Sequence, residues 1–253
     1  MTIAIISALP QEQGSLVQAL QQPAQERYAG RSFWRGALHG HPVVLALCGI
    51  GKVAAATTAT VLAERFGVDR VLFTGVAGGV GDGVRVGDVV VAREYLQHDM
   101  DASPIFERWL VPGYPGVRMA CDGELTQRLL AAAQTCVERD SHAIDWASLG
   151  LQARHRPAIH QGLVASGDRF VSTRHESDAI RQTLESAGHA VLAVEMEGAA
   201  VAQVCADYGI AFAAVRTISD RADDSAHLDF TQFVDKVASR YADHIAHAFL
   251  KSL

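Results

Sequence analysis

Acidic side chains stand directly beside uninterrupted apolar stretches at two places in this chain, which restricts where those stretches can lie in a fold. One place is residues 194–197, with the sequence VEME, and the other is residues 215–220, with the sequence VRTISD. An ionised carboxylate with apolar neighbours must be paired, hydrogen-bonded or protonated. Catalytic acids and bases arise from the same shifts of pKa. With Glu12, near the end of the first apolar strand, these segments predict a site with three carboxylates.

Predicted strands and helices alternate along most of the chain, which is the pattern of an α/β fold. Apolar runs predict strands at residues 2–8, 32–38, 42–48, 70–74, 86–95, 162–166 and 210–218. Helices are expected at residues 10–20, 52–66, 122–137, 174–186, 196–208 and 231–250. Between them, residues 138–161 are expected to form a polar surface excursion, and residues 97–118 a long loop able to cover a site.

The composition is that of one ordinary globular domain. The chain has 253 residues, of which 49% are hydrophobic and 20% charged, and this is enough for one sizeable core spanning residues 1–253. A formal net charge of -6 and a pI near 6.0 argue against nucleic acid or an anionic membrane as the partner, because those contacts use clustered Lys and Arg. The ligand is therefore expected to be small.

The cysteines and the N-terminal sequence predict a cytoplasmic protein. The four cysteines are far apart, show no CxxC spacing and stand mostly in apolar surroundings, so free thiols in a reducing compartment are expected. The first residues, MTIAII, lack the basic segment of a signal peptide, and no apolar run is long enough to cross a bilayer.

Several standard motifs are incomplete or absent. Residues 49–54, GIGKVA, fit the GxGxxA pattern of a dinucleotide fold, but the next predicted strand leads into Gly75 rather than the acid that would bind a ribose. The same stretch fails as a P-loop, because Val53 follows the lysine where Ser or Thr is needed. The chain has no GxSxG sequence of a serine hydrolase, and residues 98–101, HDMD, lack the spacing of a zinc site.

Six short segments occur in an order typical of one enzyme family. They are residues 8–12 (ALPQE), 49–53 (GIGKV), 74–79 (TGVAGG), 166–168 (SGD), 194–197 (VEME) and 218–220 (ISD). In this order and spacing the chain resembles the 5'-methylthioadenosine/S-adenosylhomocysteine nucleosidases of the purine nucleoside phosphorylase superfamily. The resemblance implies a single nucleoside phosphorylase-like α/β domain, with a mixed β-sheet flanked by helices, and a homodimer. It also implies hydrolysis of the N-glycosidic bond of a 5'-thio-substituted adenosine without metal or coenzyme.

Asp220 is the candidate for the acid that faces the base. Cleaving an adenine N-glycoside passes through an oxocarbenium-like cation, and adenine leaves more easily once its N7 atom is protonated. Asp220 closely follows an apolar strand, and open α/β sheets place ligands at the ends of such strands. Partial burial would raise an aspartate pKa from about 3.9 toward the working pH. A helix N-cap pair of Ser219 and Asp220 is the alternative.

Glu12 and Glu197 complete the predicted set of carboxylates. The resemblance assigns activation of water to Glu12, although a glutamate three residues into a helix can also simply favour the helix dipole. Glu197 is expected to bind the 2'- and 3'-hydroxyls of the ribose, and Met196 to pack on the sugar or in the core. Arg216 is expected to orient the water or hold Glu12, or else to be an internal ion-pair partner. Glu195 is expected to support the site or the fold.

The adenine ring needs a flat apolar slot and backbone hydrogen bonds to its edge. By resemblance Phe170 stacks on the ring and the main chain at Phe170 and Val171 contacts the base, with an ordinary core position for Phe170 as the alternative. Small residues such as Ala77 and Gly78 would let the backbone approach the ligand. Ser219 and Phe230 are also expected in the substrate site. Ile50 and Pro115 are expected beside the 5'-substituent.

The first loop disfavours a phosphate-dependent reaction. Residues 7–12, SALPQE, supply a carboxylate where nucleoside phosphorylases carry glycine and arginine, and negative charge there repels phosphate. Val76 is a departure from the family pattern, because many members have a serine able to touch the water at this position. Three alternatives stay open: a phosphorylase of the same superfamily, a nucleosidase for aminodeoxyfutalosine or 5'-deoxyadenosine, and a non-catalytic purine-binding or storage protein.

Overall fold

The computed structural model describes residues 1–13, 15–149, 151, 155–222 and 233–253. The strands in these ranges are β1 (Ile3–Ser7), β2 (Gln21–Tyr28), β3 (Arg31–Leu38), β4 (His41–Leu47), β5 (Arg70–Gly79), β6 (Val89–Gln97), β7 (Arg118–Ala120), β8 (Ile159–Ser166), β9 (Val191–Glu195) and β10 (Ala211–Asp220). The helices are α1 (Pro10–Gln13), α2 (Leu16–Ala19), α3 (Lys52–Phe66), α4 (Gly123–Asp140), α5 (Arg174–Ser186), α6 (Gly198–Tyr208) and α7 (Ser239–Lys251). A π-helical turn, Val234–Ala238, leads directly into α7.

Strand β5 lies at the centre of a single mixed sheet and pairs with three neighbours. It runs parallel to β1 and β10 and antiparallel to β9. Beyond β1 the sheet continues through β4, β3 and β2, and beyond β9 it continues through β8 and β6 to β10. Because β10 pairs with both β6 and β5, the strands β5, β9, β8, β6 and β10 close into a ring. The mixed α/β sheet implied by the resemblance is confirmed.

Apolar side chains cover both faces of the sheet. Ile6 and Phe73 belong to a core cluster that includes residues of α3 and α6, whereas Ile5 and Leu72 belong to a second cluster with residues of α4 and α7. Successive residues of a strand point to opposite faces, so the two helix pairs lie on opposite sides of the sheet. Strands buried on both faces read as continuous apolar runs, which is why β1 and β5 are recognisable from sequence.

Most of the predicted helices and strands are confirmed, and the exceptions have local causes. The sequence does not predict β2, because its residues QQPAQERY are polar and most of them are exposed on an edge strand that pairs with β3. Strand β7 has only three residues, too few for a recognisable pattern. Strand β9 is not predicted either, because a run of five residues, VLAVE, is too short for its apolar pattern to distinguish a strand from a helix. The helix expected at residues 10–20 is divided into α1 and α2. None of the helices in the described ranges is long and apolar enough to cross a membrane.

Strand β5 continues through the glycine-rich residues 75–79, beyond the point where the sequence predicts its end. These residues pair with β10 on one side and with β9 on the other, so that Gly78 lies opposite both Asp220 and Val194. The register of β10 slips between Ile218 and Asp220. A β-bulge of this kind bends the strand and changes the direction of a side chain. Pairing with two neighbours therefore makes a strand of a sequence that resembles a turn.

The segment at residues 138–161, expected to be a polar surface excursion, is partly buried. Trp146 is buried in the core cluster of α4 and α7, and its indole N–H donates to the Ser141 carbonyl at 2.9 Å. The ring of His155 lies 4.9 Å from the indole, edge to face. Residues from Ile159 onward already belong to β8. One aromatic anchor is enough to hold a polar segment against the body of the protein.

Candidate active site

A cleft opens where β1, β5, β9 and β10 end. Strands β1, β5 and β10 are parallel and present their carboxyl ends at one edge of the sheet, which is where open α/β folds hold ligands. Strand β9 runs antiparallel to β5 but pairs with its last residues, Gly78 and Gly79, so its end meets the same edge. Ten of the residues expected in the site line this cleft: Glu12, Ile50, Ala77, Gly78, Phe170, Val171, Met196, Glu197, Ser219 and Asp220. The three carboxylates predicted to act together therefore face one cavity, although they are distant in sequence.

Two of the expected residues that the structure describes are not on the cleft wall. Arg216 lies beneath it, fully buried, and Pro115 is exposed and does not line the cleft. Phe230 lies outside the described residues. Arg169 does line the cleft without having been expected there, and its only sequence signal is its place beside Phe170.

Glu12 is held by three backbone N–H groups. Its Oε2 atom accepts from Ala8 and Leu9, both at 2.8 Å, and its Oε1 atom accepts from Val76 at 3.1 Å. The bond from the Leu9 N–H, just before α1, also matches the alternative role of Glu12, in which a glutamate in the first turn favours the start of a helix. Burial raises the pKa of Glu12, while these N–H groups and the charge of Arg216 oppose the shift. A carboxylate has about four acceptor sites, so Oε1 keeps room for one more donor.

Arg216 is paired with Glu195 inside the protein. Its Nη2 atom donates to Glu195 Oε2 at 2.8 Å, and the exposed fractions of the two side chains are only 1% and 3%. The guanidinium also donates from Nη1 to the carbonyls of Phe73 and Val215 and stacks 4.0 Å from the Phe73 ring. The ion-pair alternative given for Arg216 is therefore present, and Arg216 still lies close enough to affect the pKa of Glu12.

Glu197 stands immediately before α6, at the mouth of the same cleft. Its Oε1 atom accepts from the backbone N–H of Gly51 at 2.8 Å, which joins the loop before α3 to the start of α6. Burial, together with the negative charge of Glu195, raises the pKa of Glu197 to about 8. The nearby charge of Arg216 opposes this shift. A carboxyl group with a pKa in this range can change protonation state near neutral pH.

Asp220 ends β10 directly after the bulge and is 3% exposed. Its Oδ2 atom accepts from the Ser219 hydroxyl at 2.8 Å, and its Oδ1 atom accepts from the Ala222 N–H at 2.8 Å. A Cβ atom at Gly78 would lie 3.0 Å from Asp220 Oδ1 and 2.9 Å from Ala222 Cβ. The glycine thus gives Asp220 its place beside β5. The alternative, in which Ser219 and Asp220 cap a helix that opens at Arg221, is not what the structure shows. Both residues belong to β10, and Ala222 has a φ of 49°, outside the helical range.

The apolar part of the cleft wall is more open than core packing would be. Phe170 is 43% exposed and Ile50 is 61% exposed, while Met196 is half-buried. An ordinary core position for Phe170 is therefore excluded. Large apolar side chains that line a cavity and remain accessible are typical of ligand sites.

Potential metal ligands converge at one place in the described ranges, away from the cleft. Cys136 and Asp140 on α4 and His244 on α7 have ligand atoms within 4.8 Å of one another. However, Arg139 donates to both oxygens of Asp140 at 2.9 Å, and Arg240 lies 3.9 Å from the same carboxylate. Two guanidinium groups already neutralise this carboxylate, so we assign no metal to the cluster.

Replacing Glu197 is expected to change how stability depends on pH. A carboxyl pKa raised from 4.5 to about 8 in the folded state means that the folded protein binds the proton more tightly than the unfolded chain. The stability from this group is full below pH 4.5 and is lost as pH rises through about 8. Glu197→Gln should flatten the decrease in the free energy of unfolding over this range, measured by urea denaturation at several pH values. Glu94→Gln, at a half-exposed surface ion pair, should keep the wild-type slope; an unchanged slope in Glu197→Gln would contradict the assignment.

Known proteins resemble this chain over almost its whole length. The sequence model of the phosphorylase superfamily matches residues 2–251. A 5'-methylthioadenosine/S-adenosylhomocysteine nucleosidase of Bacillus thuringiensis (strain Al Hakam) is 38% identical over 239 residues, covering 94% of each chain.

Solved structures give the same result. The enzyme of that name from Neisseria meningitidis, in complex with methylthio-immucillin-A, is 36% identical, with a TM-score of 0.85 over 100% of this chain and 99% of its own. The Colwellia psychrerythraea enzyme, in complex with adenine, is 30% identical, with a TM-score of 0.84 over 100% of this chain and 96% of its own. The chain therefore belongs to the 5'-methylthioadenosine/S-adenosylhomocysteine nucleosidase family of the phosphorylase superfamily.

Proposed function

We propose that this protein hydrolyses the N-glycosidic bond of 5'-methylthioadenosine and S-adenosylhomocysteine, releasing adenine and the 5-thio-substituted ribose. The observation that carries the proposal is that Glu12, Glu197 and Asp220 line one cleft together with accessible apolar side chains. An acid for the base, a base for water and a carboxylate for the sugar are what a hydrolytic N-glycosidase needs. The names of the relatives point to the same substrates.

Asp220 is proposed to protonate N7 of adenine. The bond between C1' and N9 then breaks, its electron pair stays with the purine, and the ribosyl group becomes an oxocarbenium-like cation. The Ser219 hydroxyl and the Ala222 N–H hold the two oxygens of Asp220, which orients the carboxyl group toward the cleft that it lines.

Glu12 is proposed to activate the water that attacks C1'. The water oxygen forms the new bond to C1', and its proton passes to Glu12. Two N–H groups hold Oε2 while Oε1 keeps a free acceptor site, and Arg216 favours the ionised form that a base requires. Val76 supports Glu12 through its N–H, but its apolar side chain gives the water no hydrogen bond, so the water would depend on Glu12.

Glu197 is proposed to accept hydrogen bonds from the 2'- and 3'-hydroxyls of the ribose. In its ionised form, its negative charge would also stabilise the developing cation. Met196 would pack on the sugar. Phe170 would stack on adenine while the main chain at Val171 contacts the edge of the base. Ser219, Ala77, Gly78 and Ile50 would complete the substrate contacts, and a contact from Phe230 stays a prediction.

A second copy of the chain is proposed to complete a homodimer. Four large apolar side chains of two segments are unusually exposed: Ile50 61%, Val53 78%, Ile105 81% and Phe106 43%. The ion pair between Lys52 and Asp99 links the start of α3 to the loop after β6. Exposed apolar patches of this kind mark association surfaces, and most soluble oligomers pair identical surfaces. A cytoplasmic location stays a prediction from the sequence.

The dimer has a direct test in solution. By light scattering after gel filtration, the wild-type protein is expected at twice the 27.1 kDa chain mass. The double variant Ile105→Asp, Phe106→Asp should be a monomer, because a buried unpaired charge is costly. Ala131→Asp, at an exposed position of α4, should stay dimeric. A wild-type monomer would contradict the proposal.

A phosphorylase would need an anion site for its co-substrate. Arg169 lines the cleft, but it is ion-paired with Glu176, and Glu12 adds a carboxylate to the same cleft. In phosphate-free buffer the protein is therefore expected to release free adenine and free methylthioribose from methylthioadenosine, both measured by chromatography. Formation of a sugar 1-phosphate, and only after phosphate is added, would identify a phosphorylase; neither reaction would indicate a binding protein.

The role of Asp220 predicts a large kinetic effect with little structural change. Asp220→Asn preserves shape and removes the proton donor, so kcat should fall about 10²- to 10⁴-fold while circular dichroism remains that of the wild type. Asp82→Asn is the matched control, because Asp82 is exposed in the loop after β5. Near-normal turnover of Asp220→Asn would remove Asp220 from the mechanism.

A further inference from the structure

Glu195, the last residue of β9, receives hydrogen bonds from three different elements. Arg216 on β10 donates to its Oε2 atom at 2.8 Å, and the Ser166 hydroxyl at the end of β8 donates to its Oε1 atom. The backbone N–H of Gly198 donates to both oxygens, at 3.0 and 2.8 Å, and that of Glu197 donates to Oε2 at 3.2 Å. The side chain is only 3% exposed. The proposed chemistry gives this buried carboxylate no direct part in the reaction.

We propose that Glu195 is a positioning residue that fixes two groups. One is the first turn of α6, which presents Glu197 to the ribose, and the other is the Arg216 guanidinium, which lies beside Glu12. The inference rests on the proposed nucleosidase function, because it assigns Glu195 an effect on two of the groups used there. It acts through Glu197 and Arg216 rather than through the reacting atoms.

The start of α6 is held rigidly from two sides. Glu195 binds the N–H groups of Glu197 and Gly198, and Ser166 Oγ accepts from the N–H of Ala199 at 2.8 Å. On the other side, a Cβ atom at Gly198 would overlap the ring of Tyr95, so the backbone approaches Tyr95 as closely as glycine allows. The first N–H groups of a helix have no partner within the helix. At the start of α6 the buried Glu195 carboxylate and the Ser166 hydroxyl accept from them, and a negative charge is favourable at this end of a helix. The direction of Glu197 is thereby set by the backbone to which it belongs.

Arg216 depends on the same carboxylate for its place. It lies in the buried strand β10, and Glu195 is the anion that pairs with it. A Cβ atom at Gly75 would lie 3.2 Å from Glu12 Oε1 and 3.5 Å from Arg216 Nη1, which locates the guanidinium next to the proposed base. Without Glu195 the guanidinium could turn toward Glu12 or Glu197, because a buried charge without a partner is strongly destabilising.

Glu195 also adds its charge to the cleft. The titratable and charged groups around Glu197 are Glu195 on β9, Arg216 on β10, Glu12 on α1, Cys48 after β4 and Tyr95 on β6. Among these groups Glu195 contributes most, after burial, to the raised pKa of Glu197, and Arg216 opposes it. Replacing Glu195 by a neutral residue removes the repulsion and releases Arg216 as an attractive charge. Both changes lower the pKa of Glu197.

Glu195→Gln tests the inference with two independent measurements. In the substrate-free protein, ¹³C NMR titration should show the pKa of Glu197 falling below its wild-type value of about 8. With methylthioadenosine, kcat should fall on the order of 100-fold, and the pH profile of KM should move to lower pH. Glu195→Asp keeps the charge and should retain a Glu197 pKa near the wild-type value with kcat between the two. Glu94→Gln is the control. It removes a surface ion pair with Arg118 at 2.9 Å, nearly the length of the pair between Glu195 and Arg216, and it should leave the Glu197 pKa, kcat and the pH profile of KM unchanged.

The outcomes separate this inference from the proposed function. If wild-type protein releases no adenine, the proposed function fails, whereas the NMR titration still tests the effect of Glu195 on Glu197. A Glu197 pKa and pH profile unchanged in Glu195→Gln would overturn the positioning role, even if Tm fell. Should Glu195→Gln not fold, Ser166→Ala decides, because it removes the support from β8 and leaves every charge in place. A lower kcat in that variant, with no shift in its pH profile, supports the inference, and wild-type kinetics overturns it.

Discussion

The ion pair between Arg216 and Glu195 is the interaction on which the cleft depends. A guanidinium within an apolar strand is tolerated only with a partner that compensates its loss of hydration, and Glu195 supplies that partner at 2.8 Å. The two residues belong to β10 and β9, which are joined through β5. Since β5 has a glycine at position 75, the Arg216 guanidinium fits next to Glu12, and Glu195 lies against the same cleft. The pair therefore couples the sheet to the chemistry above it.

Backbone N–H groups let three carboxylates share this cavity. Each one has at least one main-chain donor: Ala8, Leu9 and Val76 for Glu12, Gly51 for Glu197, and Ala222 for Asp220. Such bonds stabilise a buried negative charge without adding a mobile cation. The donors come from strand ends and helix starts, so the fold itself supplies the electrostatics of the site. Phe170, Met196 and Ile50 add apolar surface to the same cleft.

Local patterns predicted the elements that are stabilised locally and missed those made by pairing. Helix α3 is recognisable because small residues follow the loop at 49–51 and Gly67 ends the helix in a left-handed conformation. Strand β2 has no such signal, since its polar residues become a strand only by pairing with β3. The glycine-rich end of β5 looks like a turn for the same reason. Trp146 is a large apolar residue within a polar segment, and it marks the part of that segment that is buried.

The α/β class, the family and the candidate acidic side chains are all readable from the sequence, because a charge beside a buried strand is visible without coordinates. The fold was needed to show that Arg216 lies under the cleft with Glu195 as its partner, and that Phe170 is an accessible wall residue. The same holds for the bulge that directs Asp220. The physical reason is that a periodic pattern reports which face of an element is buried. The partner of a buried charge depends instead on which distant strands become neighbours.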